Sequence, residues 1–206
     1  MIFFARKKRQ LYRTLVGAFP KECARDVLFV VRALLCLGTR GYGDTVSGKQ
    51  RSVWRLPTGE KIKIPYRIYI KDTICPVNRF TGRQRLIYHC IFSRSYDGYV
   101  RQKHIEAILE HDVPEWAMPY VIKICGEYVK DILHIVYEKL KNQDCDRYKL
   151  LCRINFENTK LEHAHMLSYW SEYYRNECYR HRDYIGTRLY AECFGYRKTG
   201  QKGVEF

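Results

Sequence analysis

The sequence predicts an α+β fold: a small antiparallel sheet with a β-hairpin near the middle, flanked by an N-terminal helix and a C-terminal helical half. Three observations carry this. Residues 53–70 hold two strand-like segments around a Pro57-Thr58-Gly59 turn, the second alternating cleanly between apolar and polar residues. Apolar residues recur at helical spacing before and after that region. There is no internal repeat or low-complexity linker, and 46% of the side chains are hydrophobic, enough to bury a core. The expected organisation is one domain over 1–206, divided into a basic N-terminal arm (1–20), a helix-plus-sheet region (21–96), a helical half (97–194) and a loose tail (195–206).

Taken in order, residues 1–13 contain Arg6, Lys7, Lys8, Arg9 and Arg13 and no acid. Mutual repulsion predicts an arm that is mobile alone and orders on a polyanion. The apolar stretch 2–5 precedes the charges, which is the reverse of a secretory signal. Residues 21–37 read as a helix on Val27, Val30, Val31, Leu34 and Leu35, ending at Gly38. Residues 38–49 form a glycine-rich loop. Within it Gly43–Lys49 matches the start of a phosphate-binding loop, but Gln50 stands where a Mg²⁺-holding Ser or Thr is needed, and the expected neighbours are a helix and a hairpin in the wrong order.

In the hairpin's return strand, Ile62, Ile64, Tyr66, Ile68 and Ile70 alternate with Lys61, Lys63, Arg67, Tyr69 and Lys71. One face is therefore core and the other a basic row. Pro65 restricts this strand to an edge or a bulge. Residues 85–93, apolar on both faces, read as a central strand. Asp97 caps a helix over 99–110, Pro114 opens a turn, and Pro119 starts a single long helix to Leu140 with an apolar stripe of Val121, Ile124, Tyr128, Ile132, Ile135 and Val136. Residues 144–156 mix both periods. Further helices cover 161–178, rich in aromatics, and 184–194.

Nine cysteines occur without a C-x-x-C pair, so neither a zinc knuckle nor a disulfide framework is indicated. Cys36, Cys90, Cys125 and Cys193 sit in apolar runs as small hydrophobes. The odd count and the absence of a membrane-spanning run point to a cytoplasmic protein without membrane attachment. Neither a cofactor nor a catalytic signature is expected. Glu127, Asp131, His134 and Glu138 would share one face of the long helix opposite its apolar stripe, which reads as a solvated face rather than a metal site. His163 and His165 diverge on a helix, His163 toward the core and His165 toward the polar side. The loop 93–98 reads as a cap for the next helix, with Arg94 the side chain placed to meet an anion.

Charge is the strongest functional signal. The formal net charge is +15, and residues 38–103 hold 14 basic side chains against four acidic ones. A field of one sign this strong concentrates polyanions. The expected nucleic-acid-binding set is the arm Arg6, Lys7, Lys8, Arg9 and Arg13; Arg51 and Arg55 on the first strand; Lys61, Lys63, Arg67 and Lys71 on the second; Arg79, Arg83 and Arg85 in the next connection; and Arg94. Tyr69 and Trp54 are expected to stack on bases. The first expectation is a non-enzymatic DNA- or RNA-binding protein. The second is an adaptor or inhibitor whose basic face binds an acidic protein surface, and the third is a metal-dependent nuclease built on the acidic stripe.

Overall fold

The computed structural model describes residues 2–36, 51–70, 72 and 77–197; side chains are described from Arg9 onward within these, except at 35, 36 and 51. The loop 38–49, Lys71 and the end of the tail lie outside the described residues. The fold is α+β, with nine α-helices and one two-stranded antiparallel sheet among the described residues. The chain divides into two compact units, Met1–Tyr120 and Val121–Phe206. The division falls inside a helix.

In the first unit, α1 (Ile2–Val16) occupies the segment expected to be a loose arm. Leu11 and Leu15, one turn apart, are buried with Ala18 and Phe19. Phe19 stacks on Tyr120 and meets Trp116 edge-on, and the Tyr120 hydroxyl donates to the Ala18 carbonyl at 2.7 Å. Burial of these side chains outweighs repulsion among exposed, solvent-screened cations. A 3₁₀ turn (Lys21–Cys23) leads into α2 (Ala24–Cys36), with Val27, Val30, Val31 and Leu34 in the core as expected.

Strands β1 (Arg51–Arg55) and β2 (Lys61–Pro65) form the expected hairpin, closed at Gly59 with φ 87°, a left-handed conformation that favours glycine. The strand ends at Pro65, earlier than the alternation suggested. Ile68 and Ile70 are still buried, because Ile68 bridges to Ser95: its amide donates to the Arg94 carbonyl at 2.8 Å and its carbonyl accepts from Tyr96 at 3.0 Å.

Residues 85–93 are not a central strand. They lie in α3 (Gly82–Phe92), whose Thr81 cap forms a reciprocal capping box with Gln84. An apolar run of this length fits a buried helix as well as a buried strand, and the cap decides between them. Next comes α4 (Gly98–Leu109), with Asp97 accepting from the Tyr99 amide at 2.9 Å as expected.

The single long helix is also corrected. It is broken into α5 (Met118–Ile124), which carries the unit boundary, and α6 (Lys130–Leu140). At the break Gly126 lies against Glu162, where an added Cβ would sit 3.0 Å from the Glu162 Cα. Lys123 donates to Glu162 at 2.7 Å with both side chains buried. The second unit continues with α7 (Asp146–Ile154), α8 (Phe156–Tyr169), a π-helical turn (Trp170–Tyr174) and α9 (Ile185–Glu192). His163 is buried between the rings of Tyr190 and Tyr196, and His165 is exposed. Burial raises the described core thiols, Cys23 to about 11 and Cys152 and Cys193 to about 12.

Candidate nucleic-acid interface

The hairpin register separates its two faces. Trp54 opposite Ile62 and Ser52 opposite Ile64 make the inner face, where Trp54, Ile62 and Ile64 are fully buried. Arg55 stands directly opposite Lys61, and Val53 opposite Lys63, on the outer face; all four are exposed. Like charges directly across a ladder are destabilising. Glu60, the one acid in residues 51–65, is turned to the backbone, accepting from the Lys21 amide at 2.9 Å. The hairpin is held to the N-terminal helix by the Lys63 amide, which donates to the Gly17 carbonyl at 2.7 Å. The sheet thus presents a cationic face on a fixed base.

The other expected contacts distribute unevenly. Arg9 and Arg13 are exposed on α1; Arg6, Lys7 and Lys8 belong to that helix, but their side chains, like that of Arg51, are outside the described set. Arg79, Arg83 and Arg85 are exposed, Arg83 lying 3.7 Å from Asp26. Arg67 and Arg94 are not surface cations, being 8% and 1% exposed. Arg67 donates to the Tyr66 carbonyl at 2.9 Å with its guanidinium over the Tyr66 ring. Arg94 donates to the carbonyls of Pro65 at 3.3 Å and Tyr66 at 2.7 Å. Both hold the chain where β2 ends and ordinary strand pairing stops. Arg101, which the sequence did not single out, does the same for the Ser95 and Tyr96 carbonyls at 2.9 and 3.1 Å. Trp54 is buried and cannot stack on a base. Tyr69 is half-buried and stacks on the exposed Tyr96, with centroids 5.8 Å apart.

The acidic stripe is divided. Glu127 is buried in the break between α5 and α6, while Asp131, His134 and Glu138 are exposed on α6. Among the described residues no group of three or more His, Cys, Asp or Glu is arranged to hold a metal ion, and no helix is long and apolar enough to cross a membrane.

A second polar constellation was not legible in the sequence. His89 on α3 and His104 on α4 meet Nδ1 to Nδ1 at 2.8 Å. His104 Nε2 lies 3.3 Å from Asp72 Oδ2, off the straight hydrogen-bond line, with its side chain 1% exposed. Tyr88 and Lys103 donate to Asp72 at 2.6 and 2.9 Å. Burial alone would raise the Asp72 carboxyl, but hydrogen bonds from Lys103 and Tyr88, together with His104, hold it below its usual range. Burial, followed by the charges of His104 and Lys103, lowers His89 to about 4, and burial lowers His104 against the pull of Asp72. Reading 85–93 as a strand hid this cluster. With α3 and α4 recognised as adjacent helices, a histidine on each becomes the signal.

Comparison with protein-family models, curated proteins and solved structures finds no match to this chain.

Proposed function

We propose that this protein binds nucleic acid, neutralising backbone phosphates with the outer face of the hairpin, Arg55, Lys61 and Lys63, and with the exposed cations Arg9 and Arg13 of α1. The observation that carries this is the exposed outer face of the hairpin, where Arg55 stands opposite Lys61 and Lys63 lies two residues further along the same side of β2, above a buried inner face. A row of exposed cations on one face raises the local concentration of a polyanion and neutralises its phosphates. Tyr69 and Tyr96 offer a stacked aromatic pair to a base.

Fluorescence anisotropy with a labelled single-stranded oligonucleotide tests the reading. The binding constant falls at least tenfold from 50 to 200 mM salt, because each neutralised phosphate releases counterions. Replacing Arg55, Lys61 and Lys63 together with Ser weakens binding and lowers the log–log salt slope by about 2 to 3. The inner face of Trp54, Ile62 and Ile64 is untouched, so the denaturation midpoint stays level. Affinity unchanged in the triple variant, or flat with salt in the wild type, overturns the reading.

A further inference from the structure

The Asp72–His104–His89 cluster has a defined proton arrangement. A buried imidazole nitrogen facing a carboxylate at 3.3 Å must carry hydrogen, since a lone pair there would face the anion. His104 is therefore protonated at Nε2, and in its neutral form its Nδ1 is an acceptor. The 2.8 Å contact then requires His89 to donate from Nδ1. This leaves a lone pair on His89 Nε2, which has no partner among the described residues, on a half-buried side chain. The rings of Phe92 and Tyr88 lie 5.2 and 5.3 Å from that of His104 and fix the inner member. Two exposed cations stand nearby: Arg85, one turn before His89 on α3, and Lys103, whose charge acts on His89 and which is ion-paired with Asp72 at 2.9 Å.

A lone pair flanked by cations suits an O–H donor next to an anion. Along a polynucleotide, a hydroxyl beside a phosphodiester is the 2′-hydroxyl of RNA. Resting on the nucleic-acid reading above, we propose that His89 is the catalytic general base of a metal-independent RNA-cleaving site, with His104 and Asp72 as positioning residues. His89 Nε2 takes the 2′-hydroxyl proton, and the 2′-oxygen forms a bond to the adjacent phosphorus. The bond from phosphorus to the 5′-oxygen breaks; that oxygen leaves with the electron pair and takes a proton from solvent. The products are a 2′,3′-cyclic phosphate and a 5′-hydroxyl end. The resulting His89 cation keeps its Nδ1 hydrogen bond to His104, whose own Nε2 proton faces the Asp72 carboxylate, and loss of the Nε2 proton of His89 to solvent restores the start.

The full chain is incubated in EDTA with a labelled single-stranded RNA, with DNA of the same sequence, and with its 2′-O-methyl analogue. RNA is cleaved to cyclic-phosphate ends, while the other two are bound and left intact. His89→Ala, prepared identically, cleaves at least ~100-fold more slowly with affinity unchanged within a few-fold. Asp72→Asn lowers kcat more than it raises KM and moves the acidic limb of the pH–rate profile. In the wild type that limb follows His89, lowered to about 4 by burial first and then by the charges of His104, Lys103 and His111 against the pull of Asp72. Long-range ¹⁵N–¹H spectra show His89 as the Nδ1–H tautomer and His104 as Nε2–H. RNA bound but uncleaved, cleavage surviving in His89→Ala, an unmoved profile in Asp72→Asn, or the opposite tautomers overturn this proposal and leave the binding reading intact. Failure to bind either RNA or DNA overturns both.

Discussion

Burial changes what a charged or titratable residue does in this chain. Arg67, Arg94 and Arg101 are arginines by sequence but backbone clamps by position, each donating to carbonyls where regular pairing stops. Sequence cannot separate such a residue from a surface cation, because the alternation that exposes Lys61 and Lys63 fails once the strand ends at Pro65. The histidine pair gives a measurable consequence. His89 falls from the ordinary 6.5 to about 4 on folding, and His104 shifts in the same direction. Below pH 6.5 the unfolded chain takes protons that the folded chain refuses, so stability falls as pH drops from about 6.5 to about 4. Asp72 has the depressed pKa of a stabilising carboxylate, and its contribution is lost only at lower pH. Unfolding free energies from urea titrations at pH 7 and 5 should therefore differ by about 2 kcal/mol or more in the wild type. His89→Gln should remove a large part of that difference; an equal pH dependence in the variant would place the effect elsewhere.

At the scale of elements, local chemistry was legible where it was redundant. The hairpin combines a turn tripeptide with alternating isoleucines, and α4 has Asp97 at its start; both form as read. The run 85–93 suited either period until its local cap decided it, and the other misread elements each carried one cue that tertiary packing overrode. The 118–140 stripe is continuous in sequence, yet the close approach of Gly126 to Glu162 and the buried Lys123–Glu162 pair break it in two. The N-terminal charges suggested an arm, yet Leu11 and Leu15 dock the segment as a helix. Leu15→Ala tests this directly. With Leu15 1% exposed, truncation should cost about 2–5 kcal/mol in a denaturant titration. A loose arm would tolerate the same change with no shift in midpoint.

For the whole molecule, charge and architecture coincide. Residues 1–120 hold 22 basic side chains against 10 acidic, and residues 121–206 hold 15 against 12. The boundary between those spans is the boundary between the two compact units. The second unit also engages cations internally: Lys130 with Glu177 at 2.6 Å, Lys141 with Glu138 at 2.6 Å and Lys149 with Asp146 at 3.0 Å. Such exposed pairs contribute little stability, but they lower the charge available to a polyanion. The first unit pairs Lys103 with Asp72 and Arg83 with Asp26, while its hairpin sets Arg55 opposite Lys61 on an exposed face. Attraction of nucleic acid should therefore be a property of the first unit in the intact chain. Replacing Lys139, Lys141 and Arg153 together with Ser removes as much formal charge as replacing Arg55, Lys61 and Lys63. It should nevertheless leave the oligonucleotide affinity within about twofold and the salt slope unchanged, whereas the hairpin triple variant lowers both. If the two triple variants weaken binding equally, net charge alone governs the interaction and the hairpin face has no special part in it.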